Sequence, residues 1–201
     1  DAKLIPGDGP IFVAPAAHIG PGCVVRGPAY IGAGVEAMDV RLESCVVEKG
    51  CRLMGCVVKD STVMEYSRVM EGAIVTQAVI GGYCLLGPNA TVCGEILDGN
   101  AAVLGDFSTV SPGSVFSGPV KAGPFTNVSG FCDHDIPAFI SRGGSRLSLD
   151  EALKICWLRV GRWENRIVSD YELNLVKKIY KTVRRGGRSP GQPGKPIFSK
   201  G

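Results

Sequence analysis

Val69-Met-Glu-Gly-Ala-Ile-Val75-Thr-Gln-Ala-Val-Ile80-Gly-Gly-Tyr-Cys-Leu-Leu86-Gly-Pro-Asn-Ala-Thr-Val92 sets an aliphatic residue at Val69, Val75, Ile80, Leu86 and Val92, at intervals of six, five, six and six. The beat continues upstream through Val13, Ile19, Val25 and Ile31, and then through Val47, Leu53, Val58 and Met64. Downstream it returns at Leu104, Val110, Phe116, Ala122 and Val128. Glycine often follows the aliphatic residue, as at Gly20, Gly32, Gly81, Gly87 and Gly105. A small residue tends to sit four places on, among them Cys23, Cys51, Thr62, Ala73, Cys84, Ser108, Ser114, Thr126 and Cys132. A period of six is neither the 3.6 of a helix nor the alternation of a plain strand. It fits a β-helix in which each sextet makes one short strand and one turn, three sextets close a triangular coil, and coils stack at roughly 4.8 Å. The aliphatic residue points inward, the small residue lies beside a corner, and the five-residue steps tighten corners. About twenty sextets between residues 13 and 133 give six to seven coils.

Composition agrees with that reading. The chain has 201 residues with 28 glycines, 13 prolines and few aromatics, too much turn-former for a helical bundle. A hydrophobic share of 45% excludes a disordered polymer, and no apolar run approaches the ~18 residues of a membrane span. The glycines follow no Gly-X-Y period, so collagen is excluded. Charge divides the chain: residues 1–140 hold 8 Lys/Arg against 14 Asp/Glu, and residues 141–201 hold 14 against 5. Two regions with different work are expected. The chain opens on Asp1, which allows it to be a piece of something longer.

Eight cysteines form no CxxC, and only two histidines exist, so the common zinc spacings are missing and no metal is expected. Cys23, Cys51, Cys84 and Cys132 fall on the small interior position, where a free thiol acts as a small hydrophobe in a reducing, cytoplasmic setting.

After residue 133 the pattern changes. Asp135-Ile-Pro137 closes the last coil, and Arg142-Gly-Gly144 forms a link. Ser148-Leu-Asp-Glu151 and Ser169-Asp-Tyr-Glu172 are capping boxes, each opening a helix. Leu149, Leu153, Cys156, Trp157 and Val160 keep helical spacing in the first, and Leu173, Val176, Ile179, Tyr180 and Val183 form a stripe in the second. Trp157 and Trp163 are expected to anchor the first helix to the prism. The sequence therefore predicts an all-β, left-handed parallel β-helix of hexapeptide repeats over 1–140, a C-terminal α-helical extension over 141–186, and a flexible tail over 187–201.

Such prisms serve several functions, so function rests on side chains. A carbonic anhydrase of this architecture needs three histidines, and His18 and His134 are two. His18 reads as a surface or corner residue. His134, between Asp133 and Asp135, reads as a polar terminator of the last coil.

The segment Val58-Lys-Asp-Ser-Thr-Val-Met-Glu-Tyr-Ser-Arg-Val69, continuing to Ile80-Gly81, resembles the family of bifunctional sugar-1-phosphate nucleotidylyltransferase/acetyltransferases, which includes the N-acetylglucosamine-1-phosphate uridylyltransferases. Ala102-Val-Leu-Gly-Asp106, Val110-Ser-Pro-Gly113 and Asp135-Ile-Pro137 are similar to that family's final coils, and the resemblance covers about residues 10–140. It implies a homotrimer that moves an acetyl group from acetyl-CoA, or another acyl group from its acyl-CoA, to an amino sugar. Sugar phosphates and nucleotide sugars are the implied ligands. Lys59 matches a lysine that contacts the sugar phosphate. Glu71 stands where the family has its catalytic histidine, Ile74 where it has a tyrosine, and Cys93-Gly-Glu-Ile96 where it has an asparagine-bearing stretch. On this resemblance Glu71 is the candidate base. Arg142 and Arg146 are candidates for CoA phosphates. The family's nucleotidyl half, with its Gly-rich phosphate loop, would lie upstream of Asp1.

The basic C-terminal region, including Arg159, Arg162, Arg166, Lys177, Lys178, Lys181, Arg184, Arg185 and Arg188, could meet a polyanion. No RNA-recognition motif accompanies it, so nucleic acid is not expected. The competing reading is a non-catalytic oligomerisation or regulatory module, favoured by the histidine missing at position 71.

Overall fold

Residues 1–95 and 100–185 are described by a computed structural model. The flexible tail expected over 187–201 lies outside these residues. Short strands succeed one another in a fixed rotation, and every paired strand lies parallel to its neighbour in the next coil. The result is a left-handed parallel β-helix of about seven turns, with two helices near its C-terminus.

Three faces follow from the register. Face one stacks Lys3–Ile5, the first half of Val24–Ile31, the first half of Arg41–Val47, then Val57–Lys59, Ile74–Thr76, Thr91–Cys93, Val115–Ser117 and Phe131–Cys132. Face two stacks Ile11–Val13, the second halves of Val24–Ile31 and Arg41–Val47, then Thr62–Val63, Ala78–Ile80, Ala102–Leu104 and Lys121–Ala122. Face three stacks His18–Ile19, Glu36–Met38, Arg52–Met54, Arg68–Val69, Leu85–Leu86, Thr109–Val110 and Asn127–Val128. Val24, Arg41, Val57, Ile74 and Thr91 succeed one another on face one, so these coils take sixteen or seventeen residues. The coil is tighter than three full sextets because five-residue steps recur.

The inward column on each face is apolar and almost fully buried: Val25, Leu42, Val58, Val75, Val92 and Phe116 on face one, and Ile31, Val47, Val63, Ile80 and Leu104 on face two. Burying each such side chain is worth roughly 1.5–3 kcal/mol. The structure corrects the predicted column in three places. Val63 occupies the interior in place of Met64, which is partly exposed, so the five-residue step falls one corner earlier than expected. Ala37 and Leu42 carry the beat across the gap between Ile31 and Val47. Val13, expected inside, is exposed on the first coil.

Small residues do line the corners. Several are serines whose hydroxyls complete the backbone pairing between coils. Ser67 Oγ donates to the Gly81 carbonyl and accepts from Cys84 N–H, and Ser108 Oγ does the same with Gly123 and Thr126. Ser61, buried where Thr62 was expected, bridges Lys59 O and Ala78 N. A buried hydroxyl thus satisfies groups that the corner leaves without ladder partners. All eight cysteines are free thiols, and Cys45, Cys51, Cys56 and Cys84 are pushed up to about 12 by burial, so they are packing groups.

The corner between faces two and three carries an aromatic column. Tyr66, Tyr83, Phe107, Phe125 and Phe139 all adopt positive φ and stack at centroid separations of 4.9 to 5.3 Å. That spacing is set by the coils beneath them. Above Tyr66 the same corner is Gly50, at φ +66°; a Cβ there would lie 2.4 Å from the tyrosine ring.

The C-terminal helices cover this column. Helix α1 (Leu149–Arg159) begins at the Ser148–Glu151 capping box and runs into a π-turn over Val160–Glu164. Asn165, in the left-handed region, ends it. Helix α2 (Asp170–Arg185) opens on Ser169, whose Oγ accepts from Glu172 N–H while Glu172 accepts from Ser169 N–H. The predicted stripe of α2 packs inward, and Tyr180 meets Phe139 edge-on. In α1 the buried residues are Ala152 and Cys156, and Val160 is buried at the start of the π-turn. Trp157 does not anchor the helix: it is 52% exposed, because it points a full residue step around from the Cys156 line. Trp163 does anchor it, through the π-turn, with the guanidinium groups of Arg68 and Arg159 5.0 and 5.2 Å from its ring centroid.

Candidate functional site

Lys59 ends a strand of face one and registers with Thr76 on the next coil. Its ammonium lies 3.3 Å from Glu43 Oε1, one coil back in the same row. Glu71 is exposed at the corner where face three turns into face one, directly before Ile74–Thr76. Gly55 makes room for it, since a Cβ there would come 3.0 Å from Glu71 Cγ. The two residues therefore stand at opposite edges of one face, with the outward side chains of Val57 and Ile74 between them. Arg142 and Arg146 are exposed in the turn that follows the last coil, where Ile140 bridges Arg146. Four coil steps, ~19 Å along the axis, separate that turn from Glu71.

His18 and His134 are both exposed, on the first coil and on the last turn, and His134 Nδ1 lies 3.4 Å from Asp133. Among the described residues no three His, Cys, Asp or Glu side chains converge, and no helix is long and apolar enough to cross a membrane.

Two cations expected to face outward are used within the chain. Arg159 donates to the carbonyls of Tyr83 and Ser108 at 2.6 and 2.9 Å and to Thr109 Oγ1 at 2.5 Å. Burial pulls this guanidinium down to about 10. Arg166 joins Glu164 and Glu172, at 2.7 and 2.5 Å. Glu164 also accepts the Tyr83 hydroxyl, and Arg166 holds its carboxyl below the usual range despite partial burial. Glu172 is drawn down to about 2, chiefly by its bonds to Arg166. This cluster fastens the helices to the prism, so the polyanion reading now rests on the remaining basic residues of α1 and α2.

Sequence reading missed a groove along the edge between faces one and two. One part, of about 380 Å³, is lined by Ser44, Asp60, Thr62 and Gln77; it meets a second of about 290 Å³, lined by Pro10, Phe12, Pro28 and Tyr30. Ser44 and Val46 belong to both. Asp60 is the only charged residue lining either part among those described. The signal was present in the register Phe12, Tyr30, Val46, Thr62, Val79, Val103, an uncharged outward row on face two.

Residues 27–111 match the model of the "GlmU-like, C-terminal hexapeptide" family. The structure is similar to that of a hexapeptide transferase family protein from Anaplasma phagocytophilum, at 16% identity over 92% of this chain and 98% of that one, with a TM-score of 0.39. It is also similar to PerB from Caulobacter crescentus, solved with CoA and GDP-perosamine, at 20% identity over 73% of this chain and 58% of that one, with a TM-score of 0.28. No curated protein matches the chain. The matched span runs from the second coil into the sixth and includes both Lys59 and Glu71.

Proposed function

We propose that this chain is the β-helix part of a sugar-1-phosphate nucleotidyltransferase-like protein that transfers an acyl group from acyl-CoA to an amino sugar. The observation that carries the proposal is the placement of Lys59 and Glu71 on one face inside the matched span. An amino-sugar phosphate laid across face one would set its phosphate at Lys59, its ring over Val57 and Ile74, and its amine at Glu71. Glu71 would take the ammonium proton and leave a free amine to attack the thioester carbonyl; the C–N bond forms as the C–S bond breaks. The leaving CoA thiolate then takes up the proton that the new amide nitrogen sheds. An extended donor running along the prism would bring its phosphates toward Arg142 and Arg146. A homotrimer would wall this face with a neighbouring copy, in the cytoplasm where acyl-CoA is made.

Thiol release from acetyl-CoA with amino-sugar phosphates tests the scheme. Turnover is expected, and Glu71→Gln should lower kcat by about 10²-fold or more, the usual contribution of a positioned base. Lys59→Met should raise KM for the phosphorylated acceptor more than for the free amino sugar. The second reading, a non-catalytic oligomerisation or regulatory module, is favoured by one observation: Lys59 is already held by Glu43. No turnover, together with silence in calorimetric titration against acetyl-CoA and nucleotide sugars, would establish that reading instead.

A further inference from the structure

The outer sides of α1 and α2 carry apolar side chains that no described residue covers. On α2 the stripe Tyr171, Leu175, Lys178, Thr182 and Arg185 keeps helical spacing and is exposed throughout, away from the inward stripe of Leu173, Val176, Tyr180 and Val183. Its first half is apolar and its second half cationic. Ile167, one turn ahead of Tyr171, is 80% exposed, and Tyr171 is 77% exposed. On α1, Trp157 and Leu158 are each 52% exposed, and with Leu153 and Lys154 they border a shallow depression of about 640 Å³. Both helices rest on the aromatic column: Arg159 of α1 reaches the Tyr83 carbonyl, and Tyr180 of α2 meets Phe139. Their outer sides therefore look away from the prism together.

Charge follows the same division. The exposed cations of this region are Lys154, Arg162, Lys178, Lys181, Arg184 and Arg185. The exposed acids of the two helices are Asp150, Glu151 and Asp170, all in first turns. The prism has the opposite sign, with 8 Lys/Arg against 14 Asp/Glu over residues 1–140. A negatively charged surface would attract the helices and repel the prism, so the chain would meet it helices first.

A soluble polyanion such as RNA would engage the cations and leave Leu158, Ile167 and Leu175 in water. An anionic bilayer engages both sets, since its headgroups meet Lys and Arg while protruding aromatic and aliphatic side chains enter the acyl boundary. Trp157 and Tyr171 suit that boundary, each having an apolar body with a polar tip. No described helix is long and apolar enough to cross a membrane, so the contact would lie on its surface. The corner beneath the helices joins faces two and three, opposite face one, which leaves Lys59 and Glu71 toward water.

We propose that the outer sides of α1 and α2 form a docking surface for an anionic lipid bilayer, with Trp157, Ile167, Tyr171 and Leu175 entering the headgroup–acyl boundary and the α2 cations meeting headgroup charges. Sedimentation of the whole chain with vesicles tests this, using phosphatidylcholine alone and a two-to-one mixture of phosphatidylcholine and phosphatidylserine. Binding is expected only to the mixed vesicles, and it should weaken as salt is raised. Trp157 emission should shift to the blue on binding, and Trp157→Phe should remove most of that shift. Ile167→Ser and Leu175→Ser should each weaken binding about tenfold, as an aliphatic side chain withdrawn from an apolar phase does. Lys178→Gln should weaken it about fivefold. All these side chains are exposed, so each variant should keep the melting temperature of the original chain. Absence of binding to the mixed vesicles overturns the proposal. So does binding that Ile167→Ser and Leu175→Ser leave unchanged, since charge alone would then account for it. Tighter binding of an RNA oligomer than of the vesicles would assign the surface to nucleic acid, and self-association abolished by Trp157→Ser would assign it to a second copy; either result overturns the proposal.

Discussion

Gly50 shows how much one missing side chain decides. It takes the corner position that Tyr66, Tyr83, Phe107, Phe125 and Phe139 fill on later coils, and its φ of +66° matches theirs. The tyrosine ring lies in the space its Cβ would need. Gly50→Ala should therefore cost about 2–4 kcal/mol, combining the left-handed penalty of a Cβ with forced displacement of a packed ring. Urea unfolding measures it, and a change under 1 kcal/mol would mean the ring moves aside freely. Residues at this scale were only partly legible in sequence. The sextet beat located most interior aliphatics, but between Leu53 and Val69 both Val63 and Met64 satisfy it, and only corner geometry selects Val63. The aromatic column left a trace that spacing of aliphatics does not read: each aromatic from Tyr66 to Phe125 directly precedes a small buried residue, Ser67, Cys84, Ser108 or Thr126. The interior position was read; its outward neighbour was not.

At the scale of elements, the two helices are held by a small ionic knot and a buried arginine. The capping boxes were plain in sequence because they are local, depending on residues three apart. The role of Arg159 was hidden because its partners, Tyr83, Ser108 and Thr109, lie fifty or more residues away, whereas Arg166 pairs with the nearby Glu164 and Glu172 and only its contact with Tyr83 is remote. Lys59 and Glu71 were legible only through a family resemblance, and their shared face appears only once coils are stacked. The knot makes helix docking sensitive to acid. Glu172 is depressed to about 2 and Glu164 is also lowered, with Arg166 and the Tyr83 and Tyr66 hydroxyls facing them. A depressed carboxyl lends stability that is complete above its unfolded pKa, ~4.3, and is lost as pH falls toward the folded value. The helices should accordingly loosen between about pH 4 and pH 2, while the prism, whose core holds no such pair, persists. Trp163 emission should report the first change and far-ultraviolet β signal the second. In Glu172→Gln the tryptophan transition should lose most of its acid dependence; an unchanged transition would show that the knot does not fasten the helices.

At the scale of the whole molecule, stability is a sum over neighbouring coils, since each coil touches only those above and below it. The two ends of the stack are unlike. In the first coil Leu4, Phe12 and Val13 are exposed. At the other end Ala138, Phe139 and Leu147 are buried under the helices, in a cluster that continues through Cys156, Val160 and Val176. Between them the column from Leu42 to Leu104 is shut from solvent. Opening should therefore start at the first coil and move toward the helices, because each step removed there exposes the least apolar surface. Amide exchange in the native chain should be fastest at residues 3–19, slower through 24–47, and slowest from 57 to 110. Phe139→Ala, which cuts the joint between stack and helices, should cost about 3–5 kcal/mol and raise exchange in α2 and the last coils without touching the first. The same substitution raising exchange evenly along the prism would mean that the stack opens as one unit, and that coil-by-coil addition does not describe it.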